Sequence, residues 1–288
     1  MNEFELIDLI VRELDDVARG RGVVEGPGDD CAVLAVPAGQ QLVVTTDSLI
    51  EGRHFPVGAP AEGTGYRSLA VNLSDLAAMG ADARYCLVSL TIPSADERWV
   101  TGFARGLAQC ARKYKVSIVG GNLSRGPLSV TVSAHGFVPR GKALLRSGAQ
   151  PGDMIFVTGT IGAAHEPGLE RYYRPIPRLD VGVALRGTAT AAIDISDGLA
   201  ADLEHLCGRS RVAATLDLDL VPVWQGLTPL EAISAGDDYE LLFTAPSRPK
   251  LNLAVDMTCI GAISAGGGVT ARLNGKTIAY APGYRHFS

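Results

Sequence analysis

The sequence predicts an α/β (α+β) fold in two domains, on three observations. Strand-length apolar runs alternate with helix-periodic stretches in both halves of the chain. The 288 residues are enough for two domains. The stretch Arg146-Ser147-Gly148-Ala149-Gln150-Pro151-Gly152-Asp153 is punctuated by Pro and Gly and is followed by a new strand pattern. It sets the domains at 1–147 and 148–288.

In order along the chain, 3–19 reads as an amphipathic helix, with Phe4, Leu6, Ile7, Leu9, Ile10 and Leu14 on its apolar side. Strands follow at 31–36 and 42–46. A helix over 64–79 is stopped by Gly80. A strand at 86–92 leads through Pro93-Ser94-Ala95-Asp96 into a helix over about 96–114. The strand at 115–119 runs into Gly120-Gly121-Asn122, and 128–138 alternates like a strand. In the second half, a strand at 154–158 precedes a Pro/Gly-rich connection over 159–180. A short helix near 181–186, a turn at 194–198 and a helix over 199–208 come next. Strands at 212–216, 240–244 and 257–263 complete the pattern.

Bulk properties exclude several classes. Hydrophobic residues make up 47% and charged residues 20%, as in a folded globular protein. The net charge of −5, with no Lys/Arg run, leaves no electrostatic footprint for nucleic acid. The five cysteines are widely spaced and odd in number, which disfavours a disulfide framework or zinc site and suits a reducing cytoplasm. The acidic N-terminal stretch lacks the features of a signal peptide. No apolar run is long enough to span a membrane.

Acidic residues recur in short clusters beside Gly, Ser or Thr and next to apolar strands. They are Gly28-Asp29-Asp30, Thr45-Thr46-Asp47, Asn72-Leu73-Ser74-Asp75, Asp194-Ile195-Ser196-Asp197-Gly198 and Gly236-Asp237-Asp238. Poorly solvated carboxylates need a compensating cation, and oxygen donors suit Mg²⁺, so the set points to several Mg²⁺ ions holding phosphates. Several of the clusters have a plainer reading. Asp29-Asp30 fits a turn. Asp75 fits a surface helix position, although its apolar flanks argue for an inward face. Asp197 or Ser196 fits a cap for the helix over 199–208, which leaves Asp194 unexplained. Thr45-Thr46-Asp47 is read at the end of a strand, where α/β proteins collect ligand groups, with Thr45 and Asp47 on one face.

Other phosphate signals are mixed. Gly136-Phe137-Val138-Pro139-Arg140-Gly141-Lys142-Ala143 has P-loop spacing but carries Ala143 where the metal-binding hydroxyl belongs. Gly120-Gly121-Asn122 offers backbone N–H groups or an ordinary turn. His54 and Arg146 fit either a ligand or the surface.

Taken together and in order, these segments resemble thiamine-monophosphate kinases, of the aminoimidazole-ribonucleotide-synthetase-like ATP-binding superfamily. The resemblance adds Thr45-Thr46-Asp47-Ser48-Leu49-Ile50-Glu51-Gly52-Arg53-His54-Phe55, Leu145-Arg146-Ser147-Gly148-Ala149, Gly236-Asp237-Asp238-Tyr239-Glu240 and the terminal Gly283-Tyr284-Arg285-His286-Phe287. It implies ATP-dependent phosphorylation of thiamine monophosphate to thiamine diphosphate. Asp30, Thr45, Thr46, Asp47, Asp75, Asp194 and Asp197 are then the Mg²⁺ ligands. Gly121, Asn122, Arg146 and Ser196 are the nucleotide contacts, and His54, Glu240 and Tyr284 the thiamine-phosphate contacts. It further implies an N-terminal ATP/Mg²⁺ domain with a mixed sheet that pairs in a homodimer, and a C-terminal α/β sandwich. No residue is expected to serve as an acid–base catalyst.

Two departures stand out. Asn122 replaces an Asp of many relatives, and the chain is shorter around 161–180 and 217–236. Rival readings are an inactive thiamine-phosphate or nucleotide binder and aminoimidazole ribonucleotide synthetase. Selenophosphate synthetase and the carbamoyl dehydratase of hydrogenase maturation are disfavoured, because each wants a reactive terminal Cys that the sequence lacks.

Overall fold

A computed structural model describes residues 3–18, 20–27, 31–166, 168, 170–251, 253–281 and 283. The chain divides into two compact units, Met1–Leu76 with Asp82–Arg140 and Ala77–Ala81 with Gly141–Ser288.

The first unit begins with α1 (Glu3–Leu14) and a 3-10 turn, Asp15–Ala18. Strands β1 (Val23–Glu25) and β2 (Val33–Leu34) pair antiparallel, so only two residues of the expected 31–36 strand are in a ladder. A four-stranded sheet follows, in the order β3-β6-β4-β5. Its strands are β3 (Gln40–Ile50), β4 (Asp82–Ile92), β5 (Ser117–Arg125) and β6 (Ser129–Pro139). One face packs on helices α2 (Ala61–Ala78) and α3 (Glu97–Tyr114) through Val88, Leu90, Val130, Val132 and Ala134, all buried. Helix α2 is buried on nearly every side, which explains its weak amphipathic pattern. Helix α3 is started by Asp96, whose carboxylate accepts from Trp99 N–H at 3.1 Å. The two helices cross closely because Gly65 and Gly106 lack side chains. A Cβ on Gly106 would strike the Glu62 carbonyl.

The second unit is a seven-stranded sheet, β13-β12-β9-β11-β7-β10-β8. Its strands are β7 (Met154–Thr158), β8 (Ala191–Asp194), β9 (Ala213–Asp217), β10 (Leu241–Ala245), β11 (Met257–Ser264), β12 (Gly268–Leu273) and β13 (Lys276–Ile278). Its helices are α4 (Glu170–Tyr173), α5 (Leu179–Leu185), α6 (Leu199–Ser210) and α7 (Pro229–Ser234). Leu199, Leu203 and Leu206 of α6 and Ile233 of α7 pack with Ile155, Val157, Ile193 and Leu242. On the other side, Val181 and Leu185 of α5 pack with Phe156, Leu241 and Phe243, together with Ala77 and Ala78. The sheet is therefore covered on both faces, the layering of an α/β sandwich.

Two local expectations are corrected. Thr45-Thr46-Asp47 lies in the middle of an eleven-residue strand, not at its end. Gly120-Gly121-Asn122 lies inside β5 and pairs with Leu87, Val88 and Ser89, so it is not a turn. Strand β5 approaches β4 so closely that a Cβ on Gly121 would meet the Val88 backbone, which is why Gly is needed there.

Candidate active site

The first unit contributes a strand–helix pair. The β3 ladder with β6 sets Thr45 opposite Ala134 and Asp47 opposite Val132, both buried on the helix side. From there Thr45 Oγ1 donates to Asp75 Oδ2 of α2 at 2.6 Å. Thr45, Asp47 and Asp75 thus share one side of the sheet. Thr46 points the other way, and its hydroxyl donates to the Val132 carbonyl at 3.1 Å. Asn122 also lies apart, because it and Ser124 flank the buried Leu123 and face the side away from α2. The turn after β3 fixes His54. Ile50 N–H donates to His54 Nδ1 at 3.1 Å, so the neutral ring carries its proton on Nε2.

The second unit contributes the β8–α6 loop. Asp194 ends β8 and is 4% exposed. Helix α6 starts at Gly198 without a side-chain cap, so neither Ser196 nor Asp197 is spent as one. Instead Asp202, in the first turn of α6, accepts from Ser196 N–H at 3.0 Å and Asp197 N–H at 3.1 Å. These bonds leave both side chains clear of any capping duty. Burial pushes the Asp202 carboxyl up to about 7, and the Asp197 charge adds to this while Arg146 opposes it. Arg146 is exposed, and its carbonyl is anchored by Ser210 Oγ at 2.9 Å.

Glu240 stands beside this loop, where its carbonyl accepts from Ile195 N–H at 2.9 Å. Its side chain is fully buried. Arg178 grips it twice, Nε to Oε2 at 2.6 Å and Nη2 to Oε1 at 2.5 Å. Arg171 Nη2 bonds Oε1 and Thr158 Oγ1 bonds Oε2, each at 2.6 Å. Asp238 accepts from Gly162 N–H at 2.8 Å, and burial raises its carboxyl to about 7. Glu240 therefore offers no open carboxylate to a ligand and instead orders two arginines. Asp30 and Tyr284 lie outside the described residues.

Asp202, Arg171 and Arg178 were not singled out from the sequence, whereas Asp238 belonged to the Gly236-Asp237-Asp238 cluster. Asp202 looked like an ordinary acid in a first helical turn. Three arginines within eight residues, Arg171, Arg174 and Arg178, were the signal available in a stretch read as a connection.

Among the described residues, no three His, Cys, Asp or Glu side chains form an ion cage by themselves. The donors on β3 and α2 are all oxygen, with Thr45 and Asp75 already in contact. That fits Mg²⁺, which keeps several waters and takes one or two carboxylates together with substrate phosphates.

Residues 28–138 match the family of AIR synthase related proteins, N-terminal domain. The chain is 41% identical to the thiamine-monophosphate kinase of Salmonella typhimurium, with 97% of each chain covered. The structure of the thiamine-monophosphate kinase from Stenotrophomonas maltophilia superposes with a TM-score of 0.85 at 40% identity, covering 96% of this chain and 98% of that one. AaThiL complexed with AMPPCP and TMP gives 0.79 at 33% identity, covering 99% of this chain and 97% of that one. The structural likeness and the identity over nearly the whole length agree: this chain belongs to the thiamine-monophosphate kinase family.

Proposed function

We propose that the chain transfers the γ-phosphoryl group of ATP to the phosphate of thiamine monophosphate, giving thiamine diphosphate and ADP. Family membership across nearly the whole chain carries this reading. The residues agree with it chemically. Both reactants are anions, so the main barrier is bringing them together and stabilising the transferring group. Mg²⁺, when bound, neutralises phosphate charge and lets the two reactants approach.

Thr45, Asp47 and Asp75 would hold Mg²⁺ in the first unit, with Asp30 as a further member; the Thr46 hydroxyl is turned to the Val132 carbonyl instead. Asp194 and Asp197 would do so in the second, with Asp202 fixing the loop that carries Asp197. Gly121, Asn122, Arg146 and Ser196 would contact the nucleotide. His54 and Tyr284 would contact thiamine monophosphate. The acceptor oxygen is ionised already, so no general base is required and transfer is direct, without a phosphoenzyme.

A homodimer is part of the proposal. On the side of the four-stranded sheet away from α2 and α3, Leu42 (50%), Val44 (56%) and Ile50 (43%) are exposed along β3, an edge strand. A long apolar edge left open is a liability that pairing with a second copy removes. A cytoplasmic location is part of the same proposal. Among the described residues no helix is long and apolar enough to cross a membrane.

The test is to incubate the purified chain with ATP, thiamine monophosphate and Mg²⁺ and to quantify thiamine diphosphate against ADP. Equal amounts of both are expected. ADP without thiamine diphosphate would overturn the assignment.

A further inference from the structure

Glu240 carries one negative charge and pairs with two guanidinium groups. It is fully buried, whereas the Arg171 and Arg178 side chains keep 22% and 15% of their surface open. The arginines therefore form the outward layer of the cluster and Glu240 its floor. Thr158 Oγ1 supplies a further bond to that floor, and Gly159 lies directly against it. Its φ is +60°, and a Cβ there would collide with the Glu240 carboxylate.

Arg171 has used one nitrogen, Nη2, on Glu240. Its Nε is buried and has no hydrogen-bond partner. A guanidinium N–H removed from water and left unsatisfied is costly, and it marks a donor kept for something that binds. The next carboxyl, Asp238, is committed to the backbone N–H of Gly162. The cluster also adjoins the β8–α6 loop through the Ile195 to Glu240 backbone bond.

We infer that Arg171 and Arg178, held in place by Glu240, form an anion-binding element that receives a phosphate group of a substrate. Arg171 is the contacting residue, through the part of its side chain that stays open, and Glu240 is a positioning residue. A planar fork fixed on a carboxylate loses little freedom when it closes on a phosphate. The inference rests on the kinase reading for the identity of the phosphate, which belongs either to ATP or to thiamine monophosphate.

The test uses the full chain and the variants Arg171→Gln, Arg171→Lys and Glu240→Gln. Initial rates are measured while each substrate is varied at saturating levels of the other. Arg171→Gln is expected to raise the KM for one substrate at least about tenfold, with kcat changed by less than about threefold. Whichever KM moves identifies whose phosphate is held. Arg171→Lys, with its charge but no Nε, should recover part of the loss, and Glu240→Gln should shift the same KM in the same direction. Unchanged KM values for both substrates in Arg171→Gln would overturn the inference, as would a parallel rise in both.

Thermal melting with inorganic pyrophosphate gives a second reading that needs no turnover. The unaltered chain should gain stability from pyrophosphate, and Arg171→Gln and Arg171→Lys should gain less. An equal gain in all three would also overturn the inference. If the unaltered chain makes no thiamine diphosphate, the kinase reading fails separately, and the pyrophosphate melts still decide the anion element.

Discussion

Thr45 of strand β3 and Asp75 of helix α2 meet at 2.6 Å, with the threonine hydroxyl donating to Asp75 Oδ2. The two residues are thirty positions apart in the chain, and the contact orients the Asp75 carboxylate. Asp75→Ala should abolish turnover and leave the fold largely intact. Thr45→Val should keep the carboxylate but lose its orientation, reducing kcat by about tenfold, the equivalent of about 1.4 kcal/mol. Steady-state kinetics beside circular dichroism and melting checks both. Near-normal activity in Asp75→Ala would count against the metal assignment.

Asp202 sets the β8–α6 loop by accepting from two consecutive backbone N–H groups. Asp202→Ala leaves these donors without their acceptor, at a cost of about 1–3 kcal/mol. The same change should lower kcat, because Ser196 and Asp197 lose their fixed geometry. Asp202→Asn keeps an acceptor oxygen and should be milder on both counts. Urea unfolding and initial rates on the two variants separate these outcomes.

Asp238 gives a pH dependence with a defined sign. Burial, with the Glu240 charge adding, raises its carboxyl from 3.8 to about 7 in the folded chain. The folded protein then holds a proton that the unfolded chain releases. The stabilising contribution is complete below the unfolded value, declines as pH rises from about 4 to 7, and is gone above that. Asp238→Asn cannot titrate, so its stability should fall less than that of the unaltered chain between pH 5 and pH 8. The difference in slope should amount to about 2–3 kcal/mol. Urea unfolding at the two pH values measures it, and parallel slopes would contradict the account.

Val44 lies at the middle of the exposed apolar row on β3, with Leu42 and Ile50 on either side. Val44→Glu should shift the chain from dimer to monomer in sedimentation velocity, because a charge would be buried at the pairing surface. A dimer of unchanged strength would exclude this face.

Much of this was readable in the sequence, for physical reasons. The strand at 154–158 is observed as Met154–Thr158, and the helix read over 64–79 is Ala61–Ala78, because strong apolar patterns ended at Pro, Gly or Asp. Strands β12 and β13 were missed because Gly266, Gly267 and Gly268 hide the start of β12, and its parallel pairing with β9 is a long-range relation. The loop carboxylates were legible because their residue types are chemically unusual beside apolar strands. Their facing was less so. Alternation correctly grouped Thr45 with Asp47, but a five-residue strand reading concealed that β3 continues to Ile50. The burial of Glu240 was not legible, since the arginines that enclose it come from positions 69 and 62 residues away.

The most direct measurement is the stereochemical course at phosphorus, using ATP made chiral at the γ-phosphorus by oxygen isotopes and a thio substituent. Direct in-line transfer to thiamine monophosphate predicts thiamine diphosphate with inverted configuration at the transferred phosphorus. Retention would require a phosphoenzyme and would contradict the proposed mechanism. A failure to label thiamine diphosphate at all would contradict the proposed function.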